Sequence, residues 1–218
     1  GEVAELTRAG LRIARLDGEA IVPEISTVAW DPVAAERGGY AHFMLKEIHE
    51  QPAALAETLR GRIDGDRAVL PGLQLDDEAL RRIDTVLVIA CGTAYHAGLV
   101  GRHAIERLAR VRVEVDVASE LRYRQPIVDD RTLAVVISQS GETADTLAGL
   151  REAKERGAHV LAVTNVVGSS VDREADSVLY TYAGPEIAVA STKAYSTQLM
   201  VMYLLALRLG EARGTLPA

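Results

Sequence analysis

Five apolar runs constrain this chain more than any other feature. Residues 86–90 and 133–137 are continuously apolar and rich in β-branched side chains, residues 113–117 alternate, and 160–164 and 178–181 complete the set. Stretches with helical spacing separate them, giving the order βαβαβαβαβα. Runs with no polar face belong to strands buried on both sides, and strands spaced by helices pair in parallel through right-handed crossovers. The predicted fold is therefore α/β, a three-layer sandwich around a parallel five-stranded sheet, with a short β-hairpin and a linker in front of it.

The hairpin is read from period-two alternation at 3–7 and 11–16 around a turn at Ala9 and Gly10. A lone hairpin is marginal in water, so its sheet is expected to include strands preceding residue 1, and the chain to be a piece of a longer protein. Residues 23–39 hold two prolines and two glycines without periodicity and read as a linker. Between 40 and 59 helical spacing is interrupted by Pro52, which predicts two helices with Pro52 in the first turn of the second. The last helix, about 192–209, is apolar over most of its circumference, which predicts a second partner surface beyond the sheet.

Charge and cysteine content exclude several classes. With 218 residues and a formal net charge of −7 there is no positive field for nucleic acid, so no nucleic-acid partner is expected. The one cysteine, Cys91, lies in an apolar run, so neither a disulfide nor a metal site is predicted. The five histidines are scattered without ligand spacing, and no cofactor is implied. The N-terminus lacks signal-peptide character and the apolar stretch from Leu199 to Leu207 is too short to span a bilayer. A soluble, cytoplasmic protein without a membrane partner is expected.

In an open parallel sheet, ligands sit beyond the carboxyl ends of the strands. After the strand ending at Ile137 come Ser138, Gln139, Ser140, Gly141, Glu142 and Thr143, which open a helix. Three hydroxyls, a glycine and a helix N-terminus are the parts of a phosphate cradle. They are equally the parts of an ordinary capped helix, and local chemistry alone leaves both readings standing. Context favours the cradle, because two further strand ends carry hydroxyl-bearing loops: Cys91, Gly92, Thr93 and Ala94 in one, and Gly184 to Lys193, with Ser191 and Thr192, in the other. Three such loops on one edge point to a polyol phosphate. No dinucleotide or P-loop glycine fingerprint occurs in its required context.

The segments 90–93, 138–147 and 186–194, with Glu47 to Pro52 upstream, resemble the glucosamine-6-phosphate synthase family, the isomerising glutamine:fructose-6-phosphate aminotransferases. The resemblance covers essentially the whole chain. It implies that residues 1–36 are the end of the glutaminase domain and a linker, and that 37–218 form the first of two sugar isomerase (SIS) subdomains, a flavodoxin-like fold. It implies an enzyme that converts fructose-6-phosphate and glutamine to glucosamine-6-phosphate and glutamate, and that works as a homo-oligomer, a dimer. Ser138, Gln139, Ser140 and Thr143 are then expected to hold the phosphate. Thr93, the Val189 carbonyl and Ser191 would contact sugar hydroxyls, with Ala94 a weaker member because the family often has serine there. No catalytic residue of the family falls within this chain, so the chain alone is expected to be inactive.

Other residues carry bland readings. Lys193 is an amine of the type that forms Schiff bases, but is read as structural at a helix start. Glu142 could act as a base, but a carboxylate in a first helical turn is favoured by the dipole anyway. His96 is placed on a solvated helix face, and the charged stretch Glu120 to Arg124 is given no catalytic role. The alternative to the enzyme is a non-catalytic SIS module that senses a phosphosugar. It would be expected to carry a DNA-binding or kinase-like appendage, which the hairpin does not resemble.

Overall fold

The computed structural model describes residues 2–23 and 36–216. The chain divides into two compact units, Gly1–Asp31 and Pro32–Ala218. Most of the linker predicted at 23–39 lies outside the described residues.

In the first unit, β1 (Glu2–Thr7) and β2 (Gly10–Arg15) pair antiparallel as the alternation predicts. A two-residue strand, β3 (Ala20–Ile21), adds to β2.

The second unit opens with α1 (Phe43–Leu59), then β4 (Ile63–Asp64) and β5 (Arg67–Ala68), α2 (Asp77–Arg82), β6 (Thr85–Ala90) and α3 (Gly92–Leu108). There follow β7 (Arg112–Val117), α4 (Ala118–Leu121), β8 (Thr132–Ser138), α5 (Ala144–Glu155), β9 (His159–Thr164), α6 (Ser170–Glu174), β10 (Ser177–Tyr180) and α7 (Lys193–Arg213). The five long apolar runs form one parallel sheet in the order β10-β9-β8-β6-β7. The chain order reverses between β6 and β8, the position at which an open α/β sheet leaves a crevice.

Successive strand residues point to opposite faces, and both faces are covered. Val86, Val88, Leu133, Val135, Leu161 and Val163 pack in one cluster with residues of α2, α3 and α7. Leu87, Ile89, Ala134, Val136, Val160 and Ala162 pack in the other with residues of α4, α5 and α6. With no solvated face, a strand has no place for polar residues, which explains the unbroken apolar runs.

Two expectations are corrected. Residues 43–59 form one helix with Pro52 inside it, not two. Pro52 cannot donate to the Ile48 carbonyl, and the side-chain Nε2 of Gln51 donates to that carbonyl instead, at 3.0 Å. The neighbouring amide thus supplies the missing rung. The apolar circumference of α7 is covered largely by this chain itself, because the helix packs against α1, α2, α3 and β5. A Cβ on Gly101 would stand 2.5 Å from Met202 Cε, so α3 lies tight against α7 only because that position is glycine. On α7, the large apolar side chains left exposed are Tyr203 (47%) and Leu207 (37%).

Candidate functional site

The register Ala90↔Ile137 sets the ends of β6 and β8 at one level, so the loops that follow them emerge side by side. After β8 the chain turns through Gly141, whose φ of 66° lies in the left-handed region. A Cβ there would stand 2.1 Å from Ser169 Oγ, so glycine is required by both conformation and space. The Gly141 N–H donates to Ser138 Oγ (3.1 Å) and the Glu142 N–H to Ser140 Oγ (3.2 Å). The Ser138 and Thr143 hydroxyl oxygens lie 3.2 Å apart. From the β9–α6 side, the Asn165 N–H donates to the Gln139 carbonyl (3.1 Å) and the Val171 N–H to that of Gly141 (3.0 Å).

This arrangement departs from an ordinary capped helix. Thr143 occupies the N-cap position of α5, yet its side chain makes no capping hydrogen bond. Glu142 does not close a capping box either. Its carboxylate accepts from Ser170 N–H (2.7 Å) and Ser170 Oγ–H (2.8 Å), and these bonds hold its pKa below the usual glutamate value. That geometry makes Glu142 a brace between α5 and α6, in line with its bland reading.

All eight positions singled out in the sequence line one cavity of about 240 Å³: Thr93 and Ala94 at the start of α3, Ser138, Gln139, Ser140 and Thr143 after β8, and Val189 and Ser191 before α7. The lining also includes Glu186 and Gln198, which sequence reasoning did not select, along with Cys91 and Thr146. No lysine, arginine or histidine is among the lining residues. An anion in this cavity would be met by hydroxyls, backbone N–H groups and the end of the α5 dipole.

The third loop is pinned by two carboxylates. Glu186 Oε1 accepts from the Thr192 N–H (2.9 Å) and the Ala194 N–H (3.1 Å), and Oε2 from the Ser191 hydroxyl (3.1 Å). It does for α7 what an N-cap side chain would, since Thr192 itself makes no cap bond. Ser191 therefore lines the cavity with its hydroxyl hydrogen engaged and its oxygen able to accept. From α1, Glu47 (1% exposed) accepts from the Ile187 N–H (2.6 Å) and the Ala188 N–H (3.1 Å). Glu50 and Gln51 also reach this region, bonding Lys193 and Ser196. The segment Glu47 to Pro52 is thus the part of α1 that holds the loop before α7.

Lys193, 3% exposed, does not line the cavity. Its Nζ lies 2.7 Å from Glu50 Oε2, as the structural reading of this residue requires. His96 is exposed, stacked edge-on against Tyr95. Arg124 pairs with Glu114 and Asp116 of β7, a surface bracket. Among the described residues no cluster of three His, Cys, Asp or Glu side chains could hold a metal ion, and no helix is long and apolar enough to cross a membrane.

Known proteins share this architecture and sequence. The chain is 61% identical over 216 residues to the glutamine–fructose-6-phosphate aminotransferase (isomerizing) of Symbiobacterium thermophilum, an alignment covering 98% of this chain and 36% of that protein. It is 58% identical to the Clostridium tetani enzyme of the same name, covering 99% of this chain and 36% of that protein. The chain therefore spans about a third of the length of the curated relatives it matches. Among solved structures, the C-terminal domain of glucosamine-fructose-6-phosphate aminotransferase from Francisella tularensis superposes with a TM-score of 0.79 at 40% identity, over 84% of this chain and 52% of that one. The SIS domain profile matches residues 79–208, more than half of the chain and all five strands of the parallel sheet, and the chain belongs to the SIS domain family.

Proposed function

We propose that this chain is the sugar-phosphate-binding half of the synthase portion of an isomerising glutamine:fructose-6-phosphate aminotransferase. In the whole enzyme, ammonia released from glutamine aminates fructose-6-phosphate, and isomerisation yields glucosamine-6-phosphate. Residues 1–36 are read as the end of the glutaminase domain and a linker, and 37–218 as the first SIS subdomain. A cytoplasmic setting and a homodimeric enzyme belong to the same reading.

The observation that carries it is the convergence of three hydroxyl-bearing loops on one cavity without a cation. In this reading Ser138, Gln139, Ser140 and Thr143 seat the phosphate. Thr93, the Val189 carbonyl and Ser191, with Ala94 beside them, face the sugar. A phosphate dianion accepts hydrogen bonds and donates none, so a nest of hydroxyls at a helix N-terminus suits it. The work of the cavity is positioning: it holds the phosphate so that the reacting carbons meet groups supplied from elsewhere in the protein.

The test is calorimetry on the full-length enzyme. A charge-assisted hydrogen bond contributes about 1.5–3 kcal/mol, so Ser140→Ala or Thr143→Ala is expected to weaken fructose-6-phosphate binding about tenfold or more. Glutamine hydrolysis should persist in both variants. If neither substitution changes the dissociation constant, the cradle reading fails and the helix-start reading replaces it.

A further inference from the structure

Gln198 stands on the second turn of α7, 2% exposed, in a helix whose other inward positions are mostly apolar. It also lines the cavity. Its Oε1 is buried without a hydrogen-bond partner, and no described residue bonds its Nε2. A buried carbonyl oxygen without a hydrogen-bond partner is destabilising to the fold on its own, because it has lost its water and gained nothing in return. Such a group is retained at a binding cavity when a ligand supplies the missing partner.

The surrounding chemistry identifies that partner. The β8–α5 loop offers donors, which suit a phosphate. A sugar hydroxyl carries a proton as well as lone pairs, and needs an acceptor too. Both Glu186 oxygens are already engaged by the start of α7. Gln198 presents an unengaged acceptor and, through its Nε2, an unengaged donor. A half-turn of the amide exchanges the two, so the group can match a hydroxyl in either sense.

We propose that Gln198 is a specificity-determining residue of this cavity, hydrogen-bonding a hydroxyl of the phosphorylated polyol. The proposal rests on the sugar-phosphate reading above and deepens it. It assigns discrimination between a sugar phosphate and a bare phosphate to one side chain on α7. A site built around a hydroxyl rejects ligands that lack it, because the buried polar group is then left unpaired.

The experiment uses the full-length enzyme and two probes, fructose-6-phosphate and inorganic phosphate, with Gln198→Met, which keeps length and removes the amide, and Gln198→Ala. The expected result is a rise of about tenfold in the dissociation constant for fructose-6-phosphate in both variants, with phosphate affinity unchanged. The thermal midpoint of Gln198→Met should be equal to or above that of the unsubstituted protein, since a buried carbonyl oxygen without a partner has been replaced by an apolar group. Equal losses for both probes, or unchanged affinity for both, overturn the proposal. If a variant does not fold, a structure of the unsubstituted enzyme with fructose-6-phosphate bound decides: an amide within hydrogen-bond distance of a sugar hydroxyl supports the inference, and one without such a contact overturns it. Ser140→Ala separates the two levels. If it weakens both probes while Gln198→Met weakens neither, only the role of Gln198 fails; if it weakens neither probe, the cavity reading fails and this inference with it.

Discussion

Lys193 Nζ lies 2.7 Å from Glu50 Oε2, joining the first residue of α7 to the middle of α1. Lys46 lies 3.4 Å from the other oxygen of the same carboxylate. Lys193→Met, which keeps the aliphatic stem, is expected to destabilise the protein by about 0.5–3 kcal/mol in urea denaturation. Combined with Glu50→Gln, the loss should be smaller than the sum of the two single losses, because the partners share one interaction. Sugar-phosphate affinity of the full-length enzyme should be unchanged by Lys193→Met, since the ammonium does not line the cavity.

Glu47→Ala should act on the loop before α7. The variant leaves the Ile187 and Ala188 N–H groups without their acceptor, at a cost of about 1–3 kcal/mol. Gln retains an acceptor oxygen at that place, so Glu47→Gln should recover most of the loss. Urea midpoints of the two variants check the order, and fructose-6-phosphate calorimetry on the full-length enzyme should follow it.

Gly141→Ala combines two penalties. The left-handed backbone disfavours a side chain by about 1–2 kcal/mol, and the new Cβ would stand 2.1 Å from Ser169 Oγ. Adding Ser169→Gly removes the Ser169 clash and leaves the backbone penalty, with Thr164 Oγ1 still 3.0 Å from the new Cβ. The double variant should therefore be more stable than Gly141→Ala alone, by thermal denaturation, while remaining less stable than the unsubstituted chain.

His159 gives the fold a pH dependence. Burial holds its pKa below the ordinary 6.5, with Lys154 pushing the same way and Asp176 opposing, and its Nε2 lies 2.7 Å from Ser177 Oγ. The folded chain thus favours neutral imidazole, and the unfolded chain takes up the proton first as pH falls. The stabilisation is complete above the unfolded value and is lost as pH drops through the folded one. Between about pH 7 and 5 the urea midpoint should decline, and His159→Gln should flatten that decline.

The sheet was legible because burial on both faces leaves a strand only apolar residues, as at 86–90 and 133–137. The cavity was legible because strand ends in such a sheet are known places for ligands, and Thr93, Ser138 and Ser191 each follow one. Glu47 and Glu186 were quoted in motifs but given no role, since a side chain bonding the backbone of a distant loop leaves no periodic trace. Gln198 could have been noticed as a polar residue on the inward side of an apolar helix. Pro52 misled because its rule concerns the backbone donor it lacks, and the rule says nothing about a neighbour such as Gln51 that can supply one. The second partner surface predicted for α7 was overstated for a related reason: circumference reveals how much of a helix is covered, and α1, α2 and α3 do most of the covering.

Gln51 donates to the Ile48 carbonyl with one end of its amide and accepts the Ser196 hydroxyl with the other. One side chain therefore closes a gap in α1 and tethers the first turn of α7, which borders the cavity. Opening α1 at that point forfeits both bonds, and opening the start of α7 forfeits the second. The backbone around Pro52 and the beginning of α7 should consequently exchange their amide hydrogens at a common rate, as one cooperative opening unit, where two helices packed only by apolar contact would fray independently.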